Sequence, residues 1–295
     1  MLKKRVIACL VIKNGIVVQS IGFEKYLPVG IPEIAVEFLN SWGIDEIVLL
    51  DIDATLENRE PDFEMIKRIS KKCFVPLTIG GGIKSVAVMK KLIRTGADKI
   101  AINSLAVNNP SLISEAAAVL GKQCIVVSID AKCRKREDGI IWHEVMINNG
   151  KEGTGLDVVN FSKKCEELGA GEIIVNSIDN DGSKNGLDIE LIRSVSSAVS
   201  IPVIAIGGVG HPEHFAEGFI QGNAMAVAAA NYFHFTEHSP IIVKEYLMSY
   251  TTIRPRHETY INYEGFSFNK YGRIKKREED YLDKTRFEYH PEEII

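Results

Sequence analysis

The feature that most constrains this chain is a repetition. The turn Ile206-Gly207-Gly208-Val209-Gly210 restates Ile79-Gly80-Gly81-Gly82-Ile83 from about half a chain earlier. Val75-Pro76-Leu77 leads into the first turn as Ile201-Pro202-Val203 leads into the second. Gly96-Ala97-Asp98-Lys99-Ile100-Ala101-Ile102-Asn103-Ser104 is echoed between Gly222 and Asn231, and the pair Val48–Asp53 and Ile174–Asp179 sits at nearly the same offset. Matches recurring in one order at one period are the mark of a duplicated unit, here half of a barrel.

The rest of the chain fits one closed domain. Runs rich in Val and Ile recur at Arg5–Leu10, Glu46–Asp51, Val75–Ile79, Lys99–Ile102, Cys124–Ile129, Glu172–Val175, Val203–Ile206 and Met225–Ala228, the eight strands that a (βα)8 barrel needs. Amphipathic helical patterns separate them at Pro32–Trp42, Asp62–Lys71, Val86–Thr95, Pro110–Leu120, Asp157–Leu168 and Asp188–Val199. Continuous apolar strands alternating with such helices give a parallel sheet covered by helices, and the half-chain repeat favours a TIM barrel over an open doubly wound sheet. With 295 residues, 45% of them apolar, the chain can bury one large core. The barrel is expected over residues 1–250, followed by a C-terminal extension over 251–295.

Composition narrows the partners. A formal charge of −4 and the lack of a long basic run argue against nucleic acid, and the cluster Lys132, Arg134, Lys135, Arg136 reads as a solvated loop. No 18-residue apolar span is present and the start, Leu2-Lys3-Lys4-Arg5, leads into a short strand, so the expectation is a cytoplasmic protein away from membranes. The five cysteines form no close pair, and Cys9, Cys73 and Cys124 are expected as buried free thiols. His211 and His214 lie three apart at a helix start with no acidic or cysteine partner, so neither a metal nor a cofactor is expected.

In a barrel, chemistry sits at the C-terminal ends of the strands. Asp51, Asp130 and Asp181 fall there. Any one alone would read as a helix cap or a solvated side chain, but together on one rim they read as a site. Gly81 and Gly82, with Asn103 and Ser104 at the next strand end, form a first candidate phosphate cradle; Gly207 and Gly208, with Ala230 and Asn231, form a second. Glycines allow several backbone N–H groups to converge on one anion, although they also permit tight packing between turns. Two working cradles would hold a ligand phosphorylated at both ends.

The stretches Ile7-Ala8-Cys9-Leu10, Leu50-Asp51-Ile52, Leu77–Ile83, Gly96–Lys99, Val127–Ala131, Gly153–Asp157 and Asp179–Gly186 resemble the cyclase subunit of imidazole glycerol phosphate synthase over about residues 1 to 250. The resemblance implies a barrel of the ribulose-phosphate binding type. It implies a glutaminase partner that delivers ammonia at the N-terminal face, and a phosphorylated small-molecule ligand at the other. Asp130 and Asp181 are then the candidate catalytic carboxylates, with Asp181 and Gly182 also beside the second phosphate. Arg5, Glu46, Lys99 and Glu172 match the family's charged ammonia gate, and Asp98 its contact with the glutaminase. Where the family carries a second acid, facing Asp130, this chain has Val11, and the lysine of the following loop is Gln19. Ile206 and Asn231 also depart from the pattern at the second cradle.

A preserved gate beside an incomplete acid pair resembles a side branch of the family associated with acetamidino modification of surface-polysaccharide sugars. Leu10-Val11-Ile12 and Asp51–Asp62 carry that likeness. It implies an ammonia conduit serving an ATP-dependent sugar amidotransferase; the alternatives are the cyclase of histidine biosynthesis, a lyase, and a non-catalytic phosphate-binding scaffold. The extension mixes Tyr260, Tyr263, Phe266, Phe268, Tyr271, Tyr281, Phe287 and Tyr289 with the charged run Lys275–Asp280, and is expected to pack on the barrel or on a partner.

Overall fold

The computed structural model describes residues 3–135, 138–236 and 238–256, together with Ser267 and Lys275. The first half runs β1 (Arg5–Lys13), β2 (Ile16–Ile21), β3 (Lys25–Gly30), α1 (Pro32–Ser41), β4 (Glu46–Asp51), α2 (Ile52–Leu56), α3 (Phe63–Ser70), β5 (Leu77–Gly80), α4 (Val86–Thr95), β6 (Lys99–Ile102), α5 (Ser104–Asn108) and α6 (Ser111–Leu120). The second runs β7 (Ile125–Lys135), β8 (Ile141–Ile147), β9 (Glu152–Asp157), α7 (Val158–Glu167), β10 (Glu172–Ser177), α8 (Ile189–Ser196), β11 (Val203–Ile206), α9 (Pro212–Ile220), β12 (Ala226–Ala229) and α10 (Ser239–Met248). Strands β1, β4, β5, β6, β7, β10, β11 and β12 pair in parallel in that order, and β12 returns to β1. The chain is therefore a closed (βα)8 barrel.

Strand alternation splits the apolar residues into two cores. On β1, Val6, Ala8, Leu10 and Ile12 face outward into the layer shared with the helices. Ile7 and Cys9 face inward and meet Val48, Val126, Ile174, Ile204, Ala226 and Ala228 inside the barrel. The helices begin where capping side chains allow: Asp62 accepts from Met65 N at 2.9 Å, and Asp188 from Leu191 N at 3.0 Å. Helix α4 stops at Gly96, whose φ of 121° any Cβ would strain.

Two hairpins were not anticipated by the run of eight strands. β2–β3 extends β1 and β8–β9 extends β7, so each half opens with a barrel strand continuing antiparallel past the rim. Their signals are in the sequence: Asn14-Gly15 and Asn149-Gly150 both adopt positive φ, the conformation for which Asn-Gly is favoured in tight turns. Extension of β7 also corrects the reading of the basic cluster as a loop. Lys132 and Arg134 lie on the strand, paired with Asp179 at 2.6 Å and Glu144 at 2.7 Å; Arg136 is outside the described residues.

The repeat itself shifts by one residue from its sequence alignment. Gly80 and Ile206 each end a four-residue strand, so Gly81 corresponds to Gly207 (φ 105° and 104°) and Gly82 to Gly208. Of the cysteines, Cys9 is buried as expected, but Cys73 and Cys124 are only half-buried; all five are free. Pro255 bridges to Lys4 and Lys4 N donates to Arg254 O at 2.8 Å, which brings the chain back beside the start of β1. The expected packing of the extension falls almost wholly outside the described residues. Among the described residues, no helix is long and apolar enough to cross a membrane.

Candidate active site

At the N-terminal end of the barrel, Arg5, Glu46, Lys99 and Glu172 are each the first residue of a strand, β1, β4, β6 and β10. They close into a ring. Arg5 donates to Glu46 at 2.7 Å and to Glu172, while Lys99 donates to Glu46 and to Glu172, both at 2.7 Å. Glu46 is 1% exposed and Glu172 5%, and each carboxylate meets two cations, the pairing that a buried ion needs. Burial alone would lower the Arg5 guanidinium; the charges of Glu172 and Glu46 reverse that and raise it. Thr78 donates to the remaining lone pairs of Glu46 at 3.2 Å.

The next inward layers are apolar, built from Ile7, Val48, Ala101, Val126, Ile174 and Ile204. Beyond them lies a cavity of about 350 Å³ at the opposite rim, lined by Cys9, Val11, Asp130, Asp181 and both glycine turns. The alternation of β1 places Arg5, Ile7, Cys9 and Val11 on one inward line from ring to cavity. Polar termini thus flank an apolar middle, in which an ion is costlier to hold than an uncharged molecule.

Asp130 carries the most shifted carboxyl. Burial raises it to about 7; the charge of Asp181 pushes the same way, against hydrogen bonds from Asn176 at 3.3 Å and Asn103 at 3.2 Å. Asp181 is raised too, chiefly by burial, and accepts from Ser20 Oγ at 2.6 Å and Phe23 N at 3.3 Å. Two carboxylates in one low-dielectric cavity, one of them poised near neutrality, are suited to proton transfer. Val11 shares that cavity and offers no proton.

The cradles differ from their sequence reading in detail. A Cβ on Gly81 would stand 2.1 Å from Asp51 O, and one on Gly208 2.1 Å from Gly186 O, so neighbouring backbone requires glycine at both. Gly82, Gly182 and Gly207 are also in positive φ and line the cavity. Asn103 and Ala230 end the following strands with matching backbone, φ/ψ −119°/−92° and −98°/−80°. Ser104 Oγ donates to Asn103 Oδ1 and accepts from Asn148 N, both at 3.1 Å. Asn231 lines the cavity beside Ala230, and its side-chain amide pairs with the backbone of Ser20, accepting at 3.2 Å and donating at 2.7 Å, which ties the β2–β3 hairpin to the second cradle. Asp98 is exposed at the gate end, with one oxygen accepting from Leu77 N at 2.8 Å.

Asn176 was not singled out from sequence, whereas Asp51 was read as part of the rim site. Asn176 lines the cavity with an Oδ1 that is buried and unpartnered, beside Asp130. Asp51 caps α2 and is gripped by Arg59 at 2.7 and 2.9 Å. Among the described residues no cluster of His, Cys, Asp and Glu is arranged to hold a metal.

This geometry agrees with comparisons to known proteins. A sequence profile described as histidine biosynthesis protein matches residues 5–239. The chain belongs to that family. It is 49% identical over 247 residues to imidazole glycerol phosphate synthase subunit HisF of Clostridium botulinum (strain Okra / Type B1), covering 84% of this chain and 96% of that protein. It is 44% identical over 261 residues to the subunit of the same name from Methanocaldococcus jannaschii, covering 83% and 96%. A Vibrio vulnificus protein carrying the provisional name imidazole glycerol phosphate synthase subunit hisF2 is 44% identical over 273 residues, 92% of this chain and 98% of that one. The chain is thus a HisF-family barrel.

Proposed function

We propose that this chain is the ammonia-accepting barrel subunit of an imidazole glycerol phosphate synthase-type pair. A glutaminase docks over the N-terminal face around Asp98, ammonia enters through the ring of Arg5, Glu46, Lys99 and Glu172, and the rim cavity holds a phosphorylated ligand. The observation that carries this reading is the closed four-residue ring lying beneath an apolar barrel interior and an acid-bearing cavity. Ring side chains hold charged ammonium at the entrance, and the apolar layer favours passage of neutral NH3. The names of the relatives support ring closure to imidazole glycerol phosphate as the reaction at the rim. In that reaction Asp130, poised near neutrality, exchanges protons with the ligand, and Asp181 shares the charge.

A second reading is favoured by Val11. The valine stands where the family's second acid would face Asp130, and loss of a general acid commonly lowers a rate by roughly 10²- to 10⁴-fold. The match to the Vibrio vulnificus relative also covers 92% of the chain and so reaches into the C-terminal extension, beyond the span of the HisF-named relatives. In this reading ring closure has lapsed, and the ammonia serves an ATP-dependent amidotransferase that modifies a surface-polysaccharide sugar. One experiment separates the two: the purified barrel is given the bis-phosphorylated ribulosyl substrate and excess ammonium, and imidazole product is followed. Turnover near or above about 1 s⁻¹ establishes the cyclase. Absence of turnover, together with glutamine-dependent sugar amidination that requires the barrel, establishes the conduit. Failure of both leaves the phosphate-binding scaffold.

A further inference from the structure

The two glycine cradles leave the charge balance of the cavity unexplained. Asp181, and Asp130 as it ionises near pH 7, bring negative charge to its wall, and Arg59 is already held by Asp51. A doubly phosphorylated ligand entering such a mouth meets repulsion that backbone N–H dipoles alone offset poorly. Lys84 and Lys184 line the same cavity, and both are exposed. Neither belongs to an ion pair among the described residues. Lys84 Nζ is anchored at 2.6 Å to Asn58 O and at 2.6 Å to Asn58 Oδ1, neutral acceptors that fix the ammonium without cancelling its charge.

The half-barrel repeat explains why there are two lysines and why their positions differ. The offset that carries Gly81 to Gly207 and Gly82 to Gly208 carries Asn58 to Lys184 and Lys84 to Gly210. Asn58 and Lys184 share left-handed backbone, φ 53° and 62°. In the first half the left-handed residue is an acceptor and the following turn supplies the cation. In the second half the left-handed residue is itself the cation, and the following turn has Gly210, where a Cβ would stand 2.5 Å from Lys184 Cβ. Each half therefore retains one lysine, contributed from the opposite member of the same pair of loops.

We propose that Lys84 and Lys184 are the cations of two phosphate subsites. Lys84 serves the one formed by Gly81, Gly82 and Ser104, and Lys184 the one formed by Gly182, Gly207 and Gly208. Together they select a small molecule phosphorylated at both ends over one phosphorylated once. This inference rests on the phosphate reading of the cradles. Exposure limits each lysine to about a fivefold effect on affinity, which is screened by salt.

The test is calorimetric titration of the full chain with a pentulose bisphosphate and with inorganic phosphate, each at low and high ionic strength. Glutamine keeps an N–H donor but carries no charge, so Lys84→Gln and Lys184→Gln isolate the electrostatic role. Each variant is expected to bind the bisphosphate about fivefold more weakly with a flatter salt dependence; the double variant loses more, and Lys→Arg at either position retains binding. Wild-type protein that binds neither probe would overturn the cradle reading and this proposal with it. Wild-type binding accompanied by unchanged affinity and salt dependence in both Lys→Gln variants would overturn the lysine assignment alone.

Discussion

The two ends of this barrel are built from the same kind of residue and have opposite electrostatic completeness. At the N-terminal ring two cations meet two carboxylates, and each charged group has two partners. At the opposite rim Asp130 has, among the described residues, the amides of Asn103 and Asn176 as its side-chain partners, and Val11 lines the same cavity. The ring is therefore a fully paired network, whereas the rim holds a carboxyl raised to about 7 whose charge is free to change. Burial alone does not create a reactive group; burial without a counter-ion does.

That contrast is most easily broken at the ring. Glu172→Leu leaves Arg5 and Lys99 to share Glu46, and breaking a buried pair of this kind costs about 3–5 kcal/mol. Chemical denaturation checks it, and a loss below about 1 kcal/mol would show the ring to be solvated and loose.

At the rim the pH dependence has the opposite sign to that of a salt-bridged acid. Asp130 is raised from its ordinary 3.8 to about 7, so the folded state holds a proton that the unfolded state releases. Stability falls as pH rises through that window, and above about 7 the cost is fully present, a few kcal/mol in size. Asp130→Asn removes that cost, so the variant is expected to be more stable than wild type at pH 8 and to show a flatter profile between pH 4 and 8. A wild-type stability that rises across that window would contradict the assignment.

Smaller changes sharpen the comparison. Val11→Asp adds a third carboxylate to the cavity of Asp130 and Asp181, and like charges raise one another's pKa. Carboxyl titration followed by NMR is expected to show Asp130 moving above its wild-type value. Asn176→Leu removes one of the two donors that oppose the rise, and shifts Asp130 in the same direction by less. No movement in either variant would mean that the three side chains do not share one electrostatic environment.

Much of this was legible in the chain. The apolar runs located all eight barrel strands, since strands buried on both faces read as unbroken Val and Ile, and the four ring residues were named through the family resemblance, each of them beginning a strand. The hairpins were overlooked despite Asn14-Gly15 and Asn149-Gly150, because strands such as Ile16–Ile21 and Glu152–Asp157 mix polar residues or glycine into short stretches and do not form continuous apolar runs. The tie from Asn231 to the β2–β3 hairpin was not legible, because sequence gives its position after a strand but not that the hairpin folds back onto it. Asn176 carried no signal: its importance comes from an unpartnered oxygen and a long-range neighbour, neither of which has a sequence pattern.

The most direct test of an ammonia route from ring to rim uses two nitrogen sources at once. The barrel, reconstituted with a glutaminase and with the bis-phosphorylated ribulosyl substrate, or with the sugar amidotransferase of the second reading, is supplied with amide-¹⁵N glutamine and excess unlabelled ammonium, and the ¹⁵N fraction of the product is measured by mass spectrometry. Passage through the barrel predicts that product is enriched in ¹⁵N well above bulk ammonium. It also predicts that Lys99→Met, which leaves the rim intact, lowers that enrichment while ammonium-driven product is retained. Product whose ¹⁵N content equals that of bulk ammonium in the wild-type complex would contradict it.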